Sequence, residues 1–299
     1  MATYFCAYGV AFVASILLTP LLARLARPLR LIDAPGPRKV HRTGIPNSGG
    51  AAVFLATTAA ALLTIITYGT VTEAASAPLG RLLCLLLPGT GIFLLGLVDD
   101  IRNVPARWKL AGQLAAAVAV CLCGIRLNLA AFWPNAPLPA AWLGWPVTVL
   151  WIVSVMNAIN LIDGLDALAG GLSMIACVAV AFAGLSADQP VVVVVTLAAL
   201  GGLSGFLPYN LHPARVFLGD SGSLFLGFVV ATASIMVTTG RSAQPQWFLL
   251  PLVALAIPLM EMTITTLRRL LRRRPIFVAD RGHVHHRLLD LGFSQQGVV

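Results

Sequence analysis

The sequence predicts an all-α integral membrane protein, a single domain over residues 1–299 that forms a polytopic bundle of about nine transmembrane helices. Three observations predict this class. Hydrophobic residues make up 58% of the chain and charged residues only 10%, against about 25% charged in soluble domains. The apolar residues fall in separate runs close to the length that crosses a bilayer. Most basic residues lie in alternate connections between these runs.

Each apolar run is predicted to be a helix, because backbone groups in lipid need partners inside their own segment. The predicted spans are residues 2–23, 49–68, 79–98, 110–125, 144–162, 170–187, 190–208, 221–239 and 247–267. The fourth run is short, and a tight turn around Asp188 and Pro190 separates the sixth from the seventh. The first run has no basic segment before it and no clear cleavage site, so it is predicted to be a retained span and not a signal peptide.

The basic residues predict the orientation. One set of alternating connections holds 17 of the 20 Lys and Arg residues, and the opposite set holds Arg81, Arg126 and Arg241. The positive-inside rule therefore places the first set in the cytoplasm and the N-terminus outside. All five histidines lie on the same predicted side, so any site is expected at the cytoplasmic face. The net charge of +9 follows from this topology, and a nucleic-acid partner is not expected.

The cysteines all lie inside apolar runs. They are Cys6, Cys84, Cys121, Cys123 and Cys177. They are therefore predicted to be small buried hydrophobic residues, and neither a disulfide framework nor a metal site.

The stretch NAINLIDGLDALAGG, residues 157–171, places polar side chains at the end of an apolar run. Asn157, Asn160 and Asp163 are spaced by three and stay near one face of a helix. Amides and carboxylates are costly in hydrocarbon, so the cluster indicates a site, and its oxygens suit a hard cation such as Mg²⁺. The alternative is that these residues satisfy backbone groups at a helix end.

The motif VDD places Asp99 and Asp100 at the end of the third span. Adjacent carboxylates repel each other, so the pair implies a compensating cation or proton. Lys109, at the start of the next helix, is a candidate cation. The hairpin is predicted to bind a metal or to act on a phosphate, and solvated helix-end charge is the alternative.

Three further clusters lie on the same predicted side. Lys39 and His41, in the first connection, are cations able to face phosphates, unless they only follow the positive-inside rule. The segment GDSGS, residues 219–223, begins a helix; Asp220 is predicted to cap its amides or to hold a cation, and the helix N-terminus favours anions. The last cluster contains Arg281, His283, His285, His286 and Arg287. A phosphate clamp is favoured there over zinc, since no cysteine lies nearby.

Together the motifs VDD, NAINLIDGLDALAGG, FLGDSGSL and DRGHVHHRLLDLGFS, in this order, resemble the polyprenyl-phosphate N-acetylhexosamine-1-phosphate transferases from about Arg38 to Ser294. The last motif resembles the branch that uses UDP-N-acetylglucosamine. The resemblance implies an enzyme of the bacterial inner membrane in which polyprenyl phosphate attacks the sugar-bearing phosphorus of a UDP-sugar and UMP leaves. It also implies Mg²⁺ as cofactor, with Mn²⁺ as an alternative, and leaves open a homodimer.

The resemblance assigns roles to individual residues. Asn160 and Asp220 are expected to hold the metal. The residues expected to be catalytic are Asp99, Asp100, Lys109, His283, His285 and His286. The residues expected to bind substrate are Lys39, His41, Asn157, Asp163, Asp166, Asn210, Phe217, Arg281 and Arg287. Asp99 and Asp100 would face the lipid phosphate, and Asn210 and Phe217 would line the uridine pocket. Direct attack is favoured over an aspartyl-phosphate route, because a lipid phosphate is largely dianionic at neutral pH.

Two departures from the family pattern stand out. Ala167 replaces a glycine that the family usually has. Members usually continue with one or two further spans, whereas this chain ends at Val299, so the final helix is expected to be absent. The alternatives are a sister enzyme for muramoyl-pentapeptide or a modified sugar, a transporter, and a non-catalytic homologue.

Overall fold

The computed structural model describes residues 2–33, 44–72, 76–132, 139–239, 244–271 and 297. The described chain is helical almost throughout. Its helices are α1 (Ala2–Leu25), α2 (Gly49–Thr72), α3 (Ser76–Arg102), α4 (Ala106–Leu122), α5 (Leu129–Phe132), α6 (Pro139–Ile162), α7 (Leu168–Ser186), α8 (Pro190–Asn210), α9 (Gly219–Met236), α10 (Leu249–Ala254) and α11 (Ala256–Leu271). Two short 3₁₀ segments, Val237–Thr239 and Pro245–Phe248, follow α9. An antiparallel pair of two-residue strands, β1 (Ile32–Asp33) and β2 (Ile45–Pro46), joins the two ends of the first connection.

The helices confirm a multi-pass, all-α membrane protein. Seven helices in the described chain are long and apolar enough to cross a membrane, namely α1, α2, α3, α6, α7, α8 and α9. The bent pair formed by the segment 246–254 and α11 raises this number to eight if it counts as one span. The predicted fourth span corresponds to α4, which has only 17 residues. The total of nine spans and the orientation therefore stay predictions.

The predicted ninth span, 247–267, is not one straight helix. The chain bends by 66° between Ala254 and Ala256. Pro258 accounts for the bend, because its ring cannot donate to the carbonyl of Ala254 and clashes with it. Pro258, three residues past the break at Leu255, is thus the sequence signal for it.

Helix α9 is the centre of the bundle. In α9, 94% of the membrane-crossing segment is buried inside the protein, whereas in α1 the buried share is 22%. Small residues allow neighbouring backbones to approach it closely, as at Gly227, where a Cβ would lie 2.6 Å from Cα of Met156 in α6. Helix α9 is therefore held in place by the helices packed around it.

A close approach between α3 and the first turn of α9 gives a testable prediction. A Cβ at Gly96 would lie 2.5 Å from the carbonyl oxygen of Asp220 and 2.6 Å from Cα of Ser221. Because backbone must move to admit it, Gly96→Ala is expected to destabilise the protein by about 1–3 kcal/mol. Gly91, on the same helix, has nothing within 4 Å of the position that a Cβ would occupy, so Gly91→Ala is the control. Thermal unfolding in detergent measures the difference; equal midpoints for the two variants would contradict this packing.

The cysteines of the described chain are all free. Cys121 and Cys177 are buried, as predicted. The prediction is wrong for Cys6 and Cys123, which are exposed. The physical reason is that lipid is as apolar as a protein core, so an apolar run does not distinguish a buried helix face from a lipid-facing one.

Candidate active site

Four helix ends, one of them the N-terminal end of α9, meet and carry five of the ten predicted site residues of the described chain. The C-terminal end of α3 carries Asp99 and Asp100, and the N-terminal end of α4 carries Lys109. Asn160 lies in the last turn of α6, and Asp220 lies in the first turn of α9. Antiparallel neighbours bring these ends together although the residues are up to 121 positions apart in the chain. Asp163 lies in the turn that follows α6. We call Asp99, Asp100, Asp163 and Asp220 the acidic centre.

Asp220 is held at both carboxylate oxygens. Its Oδ1 accepts a 2.7 Å hydrogen bond from Nδ2 of Asn160, and its Oδ2 accepts a 2.8 Å bond from Nζ of Lys109. Asn160 also donates to the Ser223 hydroxyl at 2.9 Å. The two residues predicted to hold a metal are therefore in direct contact.

Lys109 joins the two aspartates on either side of it. Its ammonium group donates to Asp99 as well as to Asp220. The Asp99 side chain is only 6% exposed and also accepts the Val104 N–H at 2.6 Å. The compensating cation that the adjacent carboxylates require is thus Lys109.

Asp100 caps helix α9 from a different helix. Its carboxylate accepts the backbone N–H groups of Asp220 at 2.8 Å and Ser221 at 3.0 Å. It also accepts a 2.7 Å bond from Nδ2 of Asn47. Leu218, which precedes α9, makes no side-chain cap. The alternative in which Asp220 only caps this helix is therefore not supported, because Asp100 is the anion that accepts its first N–H groups.

Asp163 completes the acidic centre. Its carboxylate accepts the backbone N–H of Gly219. Burial, together with the negative charges of Asp220 and Asp100, raises the pKa of Asp163 well above its ordinary value. Burial is the largest of these causes, and the two neighbouring carboxylates add to it.

The donor atoms of the centre fit a hard divalent cation. Within the described ranges no three His, Cys, Asp or Glu side chains form a ready metal cluster. Mg²⁺ does not need one, since it usually binds one or two protein oxygens together with phosphate and water. Asp220 and the amide of Asn160 supply such oxygens, and the carboxylates of the centre outnumber the one ammonium group, Lys109, that the described chain places in contact with them. The magnesium site stays a prediction.

Asn157 lies outside the acidic centre. It exchanges hydrogen bonds with Gln113 of α4, at 2.7 Å and 3.4 Å. Gln113 is 1% exposed, so the amide pair ties α6 to α4 behind the centre. Sequence reasoning missed Gln113, although it is the one amide in the apolar run of α4.

Asp166 orders the connection between α8 and α9. Its Oδ2 accepts the Ala214 N–H at 3.1 Å and lies 2.7 Å from Nδ1 of His212. His212 was not singled out in the sequence, because an isolated histidine in a loop carries no pattern.

Asn210 joins two loops through its amide. It is 4% exposed, accepts the Ala167 N–H at 3.1 Å and donates to the Val216 carbonyl at 3.0 Å. Ala167 has φ 64°, in the left-handed region that glycine adopts freely. This explains why a glycine is usual at that position, and the hydrogen bond that Ala167 donates to Asn210 holds the alanine in the same conformation.

Phe217 lies in the turn that enters α9. Its N–H donates to the Pro46 carbonyl at 2.8 Å, and its own carbonyl accepts the Gly49 N–H at 2.9 Å. The ring is half-buried. Its predicted contact with uridine stays a prediction.

The remaining predicted site residues lie outside the described residues. They are Lys39, His41, Arg281, His283, His285, His286 and Arg287. The phosphate clamp predicted from them therefore stays a prediction.

An open, mainly apolar surface pocket of about 300 Å³ lies at the end of α11. Ile264, Leu267 and Leu271 line it together with Arg268. These four side chains lie on one face of α11, and Leu267 and Leu271 are exposed.

Comparison with known proteins places the chain among membrane phosphotransferases. Residues 82–238 match glycosyl transferase family 4. The chain is 35% identical to a probable undecaprenyl-phosphate N-acetylglucosaminyl 1-phosphate transferase of Bacillus subtilis, over 96% of this chain and 78% of that one. It is 33% identical to a decaprenyl-phosphate N-acetylglucosaminephosphotransferase of Mycobacterium leprae, over 94% and 75%. It is also 33% identical to a phospho-N-acetylmuramoyl-pentapeptide-transferase of Desulforudis audaxviator, over 98% and 92%.

Proposed function

Because this chain belongs to glycosyl transferase family 4, we propose that it transfers N-acetylglucosamine 1-phosphate from a UDP-sugar to a polyprenyl phosphate and releases UMP. The observation that carries the proposal is the contact of Asp220 with both Asn160 and Lys109, side chains from three different helices. A structural ion pair needs no amide donor from a third helix. A centre that handles phosphate charge needs oxygens, an ammonium group and fixed positions together.

The proposed reaction is a single displacement at phosphorus. An oxygen of the lipid phosphate forms a bond to the sugar-bearing phosphorus of the donor. The bond from that phosphorus to the oxygen shared with the uridine-bearing phosphate breaks, and UMP leaves with that oxygen. The lipid phosphate is largely dianionic at neutral pH, so the attack needs positioning more than it needs a base.

The residues of the acidic centre have distinct proposed roles. Asp220 and Asn160 would hold Mg²⁺, which neutralises diphosphate charge when it is bound. Lys109 positions Asp220 and places an ammonium group beside the reacting phosphates. Asp99 holds Lys109 in turn, through the ion pair between them. Asp100 positions the first turn of α9 through its bonds to two backbone N–H groups.

The proposed location of the reaction is the cytoplasmic face of the bacterial inner membrane. The predicted topology assigns 17 of the 20 Lys and Arg residues to the same set of connections as Asp163, which is the distribution that the positive-inside rule describes. The lipid phosphate would reach the centre from the membrane surface. The cavity beside Arg268 is a candidate contact for the isoprenyl chain.

A second donor, UDP-muramoyl-pentapeptide, is the alternative. It is favoured by the 33% identity to the muramoyl-pentapeptide transferase, which extends over 92% of that protein. Identity is higher to the relative from Bacillus subtilis, so N-acetylglucosamine is the first choice.

The proposal is tested by UMP release from purified protein in detergent. We expect UMP only when a UDP-sugar, polyprenyl phosphate and Mg²⁺ are all present, and faster release from UDP-N-acetylglucosamine than from UDP-muramoyl-pentapeptide. The reverse preference would establish the alternative donor. UMP release without lipid would contradict direct attack, and no release from any UDP-sugar would contradict the proposed function.

A further inference from the structure

We infer that Asn47 is a positioning residue, which holds the Asp100 carboxylate over the first turn of α9 and thereby sets the direction of Asp220. The inference rests on the proposed function, since it adds a residue to the same site. Asn47 lies between β2 and α2, near the end of the first connection, where the sequence predicted roles only for Lys39 and His41.

The hydrogen bonds of Asp100 carry the inference. Nδ2 of Asn47 donates to Oδ1 of Asp100 at 2.7 Å, and the same oxygen accepts the Asp220 N–H at 2.8 Å. Oδ2 of Asp100 accepts the Ser221 N–H at 3.0 Å. Two of these three donors belong to α9 itself. Asn47 is thus the donor from outside α9 that the described residues supply, and it fixes the carboxylate relative to the rest of the protein.

Asn47 is itself held in place. Its backbone N–H donates to the Leu31 carbonyl at 2.8 Å. Its side-chain oxygen lies against Gly219, where a Cβ would be 2.4 Å from Oδ1 of Asn47 and 2.9 Å from Oδ2 of Asp100. The Asn47 oxygen therefore contacts Gly219, the first residue of α9, and the Asn47 nitrogen donates to Asp100, whose carboxylate caps α9.

The residues after Asn47 join the same turn. Gly49 N–H donates to the Phe217 carbonyl at 2.9 Å, and Gly50 N–H donates to the Leu218 carbonyl at 2.8 Å. Backbone hydrogen bonds thus pair the segment that carries Asn47 with the segment that enters α9. A change confined to the Asn47 side chain would leave this backbone pairing intact.

The chemistry of an amide suits this position. A neutral donor orients Asp100 without adding a cation that would compete for the negative charge of the acidic centre. An aspartate at position 47 would have nearly the same shape but would place an oxygen at hydrogen-bond distance from the Asp100 carboxylate, where like charges repel.

The test compares Asn47→Ala and Asn47→Asp with a control next to them in the chain. Ser48 is 2% exposed, and its hydroxyl has no partner among the described residues, so Ser48→Ala removes a buried polar group without touching Asp100. We expect kcat of UMP release to fall by about 10–100-fold in Asn47→Ala, and further in Asn47→Asp. We expect the KM for the UDP-sugar to change by less than about threefold, because the loss acts on positioning and not on donor contacts.

A second measurement needs neither metal nor substrate. Hydrogen exchange of the Asp220 and Ser221 amides should be faster in Asn47→Ala than in the unmutated protein, and unchanged in Ser48→Ala. Unchanged exchange at both amides would overturn the inference, whatever the activity, and so would unchanged kcat. Should the unmutated protein release no UMP, the proposed function fails, while the exchange rates still decide the role of Asn47. Asn47→Asp, which has nearly the same shape, keeps the test open if Asn47→Ala does not fold.

Discussion

Asp220→Asn is expected to lower kcat of UMP release by about 1,000-fold or more. The substitution keeps the shape of the side chain and removes its charge, which is the property that both Lys109 and a divalent cation require. The amide keeps only one acceptor oxygen, so Asn160 and Lys109 could no longer both donate to residue 220, as they do at 2.7 Å and 2.8 Å. The measurement is UMP release with saturating lipid and donor over a range of Mg²⁺ concentrations.

The control for this substitution is Asp188→Asn. Asp188 is exposed in the turn between α7 and α8, and its φ of 53° suits asparagine as well as aspartate. Asp188→Asn changes the net charge by the same amount as Asp220→Asn and should keep kcat within about twofold of the unmutated value. Full activity in Asp220→Asn would remove Asp220 from the reaction and from the predicted metal site.

Lys109→Met is expected to lower kcat by about 100-fold or more. Without the ammonium group, Asp99 and Asp220 face each other with no cation between them from the described chain, and Asp99 is almost fully buried. Asp220 is then free to turn away from Asn160. Lys109→Arg should recover only part of the activity, because a planar guanidinium does not reproduce a compact ammonium group between two carboxylates.

The matched control is Arg107→Met. Arg107 is exposed, and its guanidinium lies over the Trp108 ring, 5.9 Å from the ring centroid. This variant removes one positive charge from the same end of α4 without touching Asp99 or Asp220. Equal losses in Lys109→Met and Arg107→Met would mean that net charge, and not the bridge made by Lys109, is what matters.

Much of the fold follows from the sequence, because the bilayer restricts what an apolar run of suitable length can become. The predicted span 190–208 corresponds to α8, Pro190–Asn210, and the predicted turn at Asp188 is present. The positions of helix ends were less predictable. Helix α4 begins at Ala106, four residues before the predicted start, because Pro105 precedes it and a helix can continue beyond the hydrocarbon into polar residues.

The site was predictable in its members but not in their partners. The adjacency of Asp99 and Asp100 predicts a nearby cation, and Lys109 is that cation. Nothing in the spacing indicates that Asp100 would cap α9, which begins more than a hundred residues later. The role of Asn47 could not be predicted either, because a single amide acquires such a role only from its contacts with residues distant in the sequence.

The most direct test of the account is the fate of the sugar-bearing phosphorus. Donor labelled with radioactive phosphorus at that position is incubated with the protein, polyprenyl phosphate and Mg²⁺, and the products are separated by solvent extraction. We predict that the label enters the lipid fraction in step with UMP release, because sugar and phosphate move together. Label that remains in the aqueous phase as UDP, while sugar enters the lipid, would contradict phosphoryl transfer at the acidic centre.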